Sequence, residues 1–161
     1  SGSIGSVFVG ANTDIEQKEK YDRVEDAVCA VRSALEEGIV KGGGVALMNC
    51  SSFLLKEFNN DESGEVFGDK HTALMILTEA CLEPVKQILK NAGREFEDIY
   101  PAYTLDDVSD YDVKNECFGD MYDMGIIDPL KVTKNAFKNA VSVATTILTT
   151  NAIITHARVK Q

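Results

Sequence analysis

Between Thr13 and Gly38 the chain carries one uninterrupted helical signal, and its length constrains the fold more than any other feature. Thr13 stands three residues before Glu16, the spacing of a capping box that satisfies backbone N–H groups at a helix start. Val24, Ala27, Val28, Val31 and Leu35 then recur on one helical face up to the stop at Gly38. At about 1.5 Å per residue such a helix reaches roughly 36 Å, more than a compact small domain needs. It is therefore expected to connect two bodies. Asp26 falls about 200° around from Val24, on the face opposite the apolar stripe with Asp22 and Ser33. By pattern alone it is a solvated acid.

The remaining segments read as mostly helical. Ile4, Val7 and Val9 alternate with glycine and serine, the pattern of a short strand ending at Gly10. Gly42, Gly43 and Gly44 break the chain, and the run VALMNCSSFLLKEF that follows is apolar enough for a buried helix. Residues 59–69 have the Gly, Asn and Asp content of an exposed loop. HTALMILTEACLEPVKQILKNAG is helical to a stop at Gly93, with Pro84 predicting a kink or break near Glu83. Residues 95–125 interleave acids with Tyr100, Tyr103, Tyr111, Phe118 and Tyr122, and a small β-hairpin is expected over 110–123. Asp128-Pro129 has the form of an acidic N-cap followed by proline at the first helical position. Behind it Val132, Ala136, Ala140, Val143 and Ile147 share one face, and AIITHARV alternates as a last strand.

Charge and composition narrow the function classes. The net charge of −10, from 26 acidic and 16 basic residues without a basic cluster, repels nucleic acid and anionic membrane surfaces. Neither is expected as a partner. No apolar run approaches the roughly 20 residues that span a bilayer, and SGSIGS lacks the basic and apolar regions of a signal peptide. The chain opens without methionine, which leaves any natural targeting segment unread. Cys29, Cys50, Cys81 and Cys117 are widely scattered, without a CxxC pair, and read as buried thiols; His71 and His156 are isolated, so neither set reads as metal ligands. Asp106, Asp107, Asp110 and Asp112 do not follow EF-hand spacing and read as a charged loop; a metalloenzyme built on them is the least favoured reading. No Walker pattern is present. The triple glycine fits either a turn or an anion site at a helix N-terminus, and spacing alone favours the turn.

Three segments together carry a family resemblance. KEKYDRVEDAVCAVRSALEEGIVKGGGVAL, from Lys18 to Leu47, closely resembles the segment of GroEL-type group I chaperonins that joins the intermediate domain to the equatorial domain. FGDMYDMGIIDPLKVTKNAFKNAVSVATTILTTNAII, from Phe118 to Ile154, resembles that family's last hairpin and final long helix. ACLEPVKQILKNAG, between them, resembles the helix pair before the hairpin. Order and approximate spacing agree over nearly the whole chain.

The resemblance implies a mainly α fold: part of an equatorial-domain-like helical bundle, with a small β-hairpin and a long connecting helix. Residues 1–38 would be the C-terminal part of the intermediate domain, and 39–161 the C-terminal half of the equatorial domain. The function implied is that of an ATP-dependent homo-oligomeric ring that folds non-native polypeptides with a co-chaperonin lid. ATP or ADP with Mg²⁺ is the implied cofactor, and the family's metal ligand, phosphate loop and apical binding surface lie outside the matched segments. Asp26, in RVEDA, matches the catalytic aspartate that swings over the nucleotide and orients the attacking water. Gly43 matches the closest backbone approach to the nucleotide sugar, and Asp128, in GIIDP, the aspartate that binds the ribose hydroxyls. Asp112 and Val113 match the adenine-contacting hairpin, although Asp112, Val113 and Lys114 replace the usual Asn-Ala-Ala type sequence. The 161 residues alone are expected to be inactive. This departure and the Asn- and Asp-rich loop at 59–64 point to an organelle of bacterial descent, the mitochondrial matrix before a plastid or a bacterial cytoplasm. The rival reading is a chaperonin-related helical assembly module that binds no nucleotide.

Overall fold

The computed structural model describes residues 2–59, 68–100, 110–152 and 154. Most of the predicted loop at 59–69, the predicted last strand, Tyr103, Asp106, Asp107 and His156 lie outside the described residues. The chain divides into two compact units, one of residues 1–38 with 129–161 and the other of residues 39–128.

The first unit contains α1 (Asp14–Glu37) and the C-terminal helix, Leu130–Leu148. Helix α1 has the predicted bounds. The Thr13 hydroxyl accepts the Glu16 N–H at 3.2 Å, while Glu16 reaches back to the Asn12 N–H, and the Gly38 N–H closes the last turn on Ala34. The apolar stripe fares differently: Val28, Val31 and Leu35 stay exposed, and neither helix of this unit buries a residue fully. Half-buried positions are instead Val24, Ala30, Ser33 and Ala34 on α1, and Leu130, Thr133, Phe137 and Val141 on the C-terminal helix. The predicted face of Val132, Ala136, Ala140, Val143 and Ile147 is also exposed. Both helices are apolar on more than one side, and periodicity does not say which side a neighbour takes. Lys131–Glu36 and Lys134–Glu37 ion pairs join the two helices at this end, and the Leu130 N–H donates to the Gly38 carbonyl at 3.1 Å.

The predicted strand at Ile4–Gly10 does not form. Ladder bonding needs a neighbouring strand, residues 2–11 have none among the described residues, and Ile4 and Phe8 are each 96% exposed.

The second unit runs β1 (Ile39–Lys41), α2 (Val45–Asn59), α3 (Asp69–Asn91), α4 (Phe96–Ile99), β2 (Asp110–Asp112), β3 (Cys117–Gly119) and β4 (Ile127–Pro129), after which the C-terminal helix is α5. Helices α2 and α3 pack together, and Val45, Met48, Leu82, Val85 and Leu89 form a core with Phe96, Tyr100, Tyr111 and Met121. Pro84 does not end α3, which runs through it to Asn91; the helix stops at the expected place, with the Gly93 and Arg94 N–H groups on the Lys90 and Leu89 carbonyls. Strands β2 and β3 form the expected antiparallel hairpin, in register Asp110 to Gly119, Tyr111 to Phe118 and Asp112 to Cys117. A second sheet pairs β1 with β4. This pairing was not legible in the sequence, because each strand has only three residues. The mainly α fold with a small hairpin agrees with the expected partial helical bundle.

Asp128 is not the N-cap of α5. Ladder bonding carries the extended backbone through Pro129, which takes the cap position with ψ 125°, and no side chain caps the helix. The Asp128 carboxylate is therefore not consumed by helix N–H groups.

Gly44 is the tightest point of the unit. At φ +81° it sits in the left-handed region, and a Cβ there would lie 2.9 Å from the Val85 backbone nitrogen. Gly43, at φ +64°, would meet only the terminal methyl of Met121 at 3.2 Å, a flexible chain end that can yield. Gly43→Ala should therefore cost about 1–2 kcal/mol, the left-handed penalty alone. Gly44→Ala adds a backbone collision and should cost about 3 kcal/mol or more. Urea unfolding of the two variants checks this, and equal losses would contradict it.

Candidate functional site

The candidate site grows from the glycine turn between β1 and α2. Gly42 donates its N–H to the Ile126 carbonyl at 2.9 Å, and the Gly42 carbonyl accepts the Val45 N–H that starts α2. One side of the turn is thus tied to the segment entering β4, and the other to a helix. Gly43 lies between them, beneath Met121, which is only 3% exposed. Strand β4 pairs with β1 and carries Asp128. Gly43 and Asp128 therefore belong to segments held together by one sheet. Asp128 is exposed, and its carboxylate makes no hydrogen bond or ion pair among the described residues.

The hairpin uses its polar groups internally. Asp112 accepts the Lys114 and Asn115 N–H groups on Oδ1, at 2.8 and 3.3 Å, and the Asn115 side-chain amide on Oδ2 at 2.6 Å. The Asn115 amide, followed by these backbone donors, holds the Asp112 carboxyl below the usual carboxylate range. Val113 packs half-buried against the core. Tyr111 and Phe118 pack across the hairpin in a tilted pair with ring centroids 4.9 Å apart. Of the two predicted adenine-side residues, one closes a turn and the other fills a core edge.

Sequence reasoning missed the charged group beneath this surface. Lys41, the last residue before the glycines, places Nζ 2.8 Å from Asp110 Oδ2 and 2.7 Å from Asp120 Oδ2. The Asp110 side chain is only 3% exposed, and its Oδ2 also accepts the Met121 N–H at 3.0 Å. Asp120 accepts the Tyr122 N–H at 2.8 Å, and the Tyr122 ring lies 5.9 Å from the ammonium. The bond to Asp110, then that to Asp120, raises the Lys41 ammonium above its ordinary range, and the Lys41 bond pulls Asp120 below its own. A lysine closing a strand and two acids 10 residues apart carry no motif: the hairpin register brings the two acids together, and β1 delivers Lys41 to them. Asp110 and Asp112, counted with a charged loop in the sequence, are buried members of a strand. Of the four cysteines expected to be buried, only Cys81 is; Cys29, Cys50 and Cys117 are exposed on their elements.

Asp26 lies in the other unit, on α1, exposed as expected and without a hydrogen bond or ion pair among the described residues. No group of three or more His, Cys, Asp or Glu residues able to hold a metal ion occurs among the described residues. No described helix is long and apolar enough to cross a membrane.

Acid should weaken this cluster, as it weakens the Lys131–Glu36 pair of the other unit, whose carboxyl is also held low. Asp112 and Asp120 have lowered folded values, so their contribution is complete above the ordinary carboxylate range near 3.8 and is lost as pH falls through the folded values. Lys41, raised above 10.5, keeps its contribution until strongly alkaline pH. The urea midpoint should hold level across neutral pH and drop below about pH 4. Asp120→Asn should flatten that drop, and an unchanged acid slope in this variant would contradict the assignment.

Comparison with known proteins follows the same lines. The sequence profile of the TCP-1/cpn60 chaperonin family matches residues 1–158. Chaperonin GroEL 3 of Psychromonas ingrahamii (strain DSM 17664 / CCUG 51855 / 37) is 42% identical over 160 residues, a match covering 96% of this chain and 27% of that protein. The chain thus spans about a quarter of the length of this curated relative.

Proposed function

Since this chain belongs to the TCP-1/cpn60 chaperonin family, we propose that it is part of an ATP-dependent ring chaperonin and supplies one side of the nucleotide site. The observation that carries this reading is the unspent Asp128 carboxylate, on a strand paired with the one that leads into Gly43. We assign residues 1–38 to the C-terminal part of the intermediate domain and 39–161 to the C-terminal half of the equatorial domain. ATP with Mg²⁺ would supply the phosphoanhydride bond whose hydrolysis drives the folding cycle, the metal ligand coming from the rest of a family-length chain.

The chain's own residues divide the work of binding and orienting. Asp128, with both oxygens open, accepts hydrogen bonds from vicinal ribose hydroxyls. Gly43, without a side chain, lets the backbone approach the sugar. Asp112 contributes through the turn it holds, and Val113 through the apolar edge it forms. Asp26 accepts a hydrogen bond from the attacking water at its carboxylate and so orients it; it completes the site only on domain closure. The 161 residues alone therefore do not hydrolyse ATP. Non-native polypeptides and a co-chaperonin lid engage other parts of a family-length chain, which assembles as a homo-oligomeric ring. Its compartment is the mitochondrial matrix.

One observation favours the rival, an assembly module that binds no nucleotide: the Asp112 carboxylate is fully occupied within its own turn. Steady-state hydrolysis and separate ATP binding by the full-length protein decide between them. Asp26→Ala should lower turnover by about 100-fold or more while leaving ATP affinity in place. Asp128→Ala should weaken ATP binding about tenfold, the loss of roughly 1.5 kcal/mol of charge-assisted hydrogen bonding. Equal hydrolysis by Asp26→Ala and the unmodified protein would remove the catalytic assignment and leave the assembly module.

A further inference from the structure

Lys41 makes no side-chain bond to a residue assigned to the nucleotide, yet it stands behind one of them, Gly43. Its ammonium bonds Asp110 Oδ2, and the same oxygen holds the Met121 N–H. Met121 in turn lies over Gly43, its terminal methyl 3.2 Å from where a Cβ would be. From its other side Lys41 binds Asp120, which fixes the start of the turn between β3 and β4 through the Tyr122 N–H. That turn leads to Ile126, whose carbonyl accepts the Gly42 N–H. One cation therefore ties strand β2, through Asp110, to the β3–β4 turn, through Asp120, and that turn bears on Gly42 and Gly43.

We propose that Lys41 is a positioning residue of the nucleotide site, fixing the β2–β3 hairpin and the β3–β4 turn against Gly42–Gly44 so that the sugar-side surface is preformed. The inference rests on the nucleotide reading above and deepens it. A carboxylate as buried as that of Asp110 is tolerated only with its counter-charge in place. Without Lys41 it must move towards water, and the Met121 backbone it holds moves with it. The surface at Gly43 then has to be reassembled at each binding event, which weakens binding. Asp26 lies on α1, outside the hairpin and glycine turn that Lys41 clamps. Losing Lys41 therefore acts on ATP binding and spares turnover once the site is filled.

The test compares ATP dissociation constants and steady-state KM and kcat for full-length unmodified protein, Lys41→Met, Lys41→Arg, Asp120→Asn and the double variant Lys41→Met with Asp110→Asn. Lys41→Met should raise the dissociation constant and KM for ATP about tenfold with kcat at saturation retained. Lys41→Arg keeps the charge and should stay near the unmodified values. The double variant should recover most of the affinity, because Asp110→Asn removes the buried charge and leaves a side-chain oxygen to accept the Met121 N–H. A merely structural lysine would lower the melting temperature and the active fraction, hence kcat, without moving KM. If Lys41→Met does not fold, Asp120→Asn carries the test through a smaller rise in KM at unchanged kcat. Unchanged KM in the folded variants overturns the role of Lys41 while the nucleotide reading stands. Absence of ATP binding by the unmodified protein overturns both.

Discussion

The glycine turn at Gly42–Gly44 is the constraint on which the 39–128 unit depends. Three consecutive residues meet two segments: Gly42 hydrogen-bonds Ile126 and Gly43 lies under Met121, both in the β3–β4 turn, while Gly44 abuts the backbone of α3 at Pro84 and Val85. Backbone approach at Gly42 and Gly44 leaves little room for a side chain, and Gly43 and Gly44 have positive φ. The direction of β1, the start of α2 and the seat of α3 all follow from this turn. So does the candidate site, because the backbone that must lie bare for packing is the backbone that a ligand can reach.

Magnitudes separate the charges that matter from those that decorate. Exposed pairs such as Lys20–Glu16 and Arg23–Glu19 on α1 are each worth about 0–1 kcal/mol. Removing the partner of a buried carboxylate is a different matter, at about 3–5 kcal/mol. Lys41 with Asp110 is closest to that case, since one side chain is 24% exposed and the other 3%. The two helices of the other unit have no comparable anchor among the described residues. They hold to each other through half-buried residues and exposed ion pairs, and much of their apolar surface is uncovered.

Local signals in the sequence were legible where one residue type has one physical use. Thr13 with Glu16 and Gly38 bounded α1, Gly93 bounded α3, and aromatic residues around the 110–123 turn marked the hairpin. They failed where the outcome depends on a partner. Ile4, Val7 and Val9 alternate like a strand but have no strand to pair with among the described residues, and the stripes on α1 and α5 chose faces that the intrachain contact leaves open. Of the kink or break that Pro84 predicted, the break does not occur, since α3 continues through it. Asp128 looked like a helix cap and proved to be part of a strand because β1 pairs there. The candidate site was legible through family-like motifs at Asp26, Gly43 and Asp128. Its supporting ion cluster was not, because Lys41, Asp110 and Asp120 meet only through long-range pairing.

The central claim is that the glycine turn and β4 form the sugar side of an ATP site. A cryo-electron microscopy structure of the full-length protein with a slowly hydrolysed ATP analogue tests it most directly. The account predicts the ribose against Gly43, with its hydroxyls on the Asp128 carboxylate. Nucleotide density elsewhere, with Asp128 facing only solvent, would contradict it.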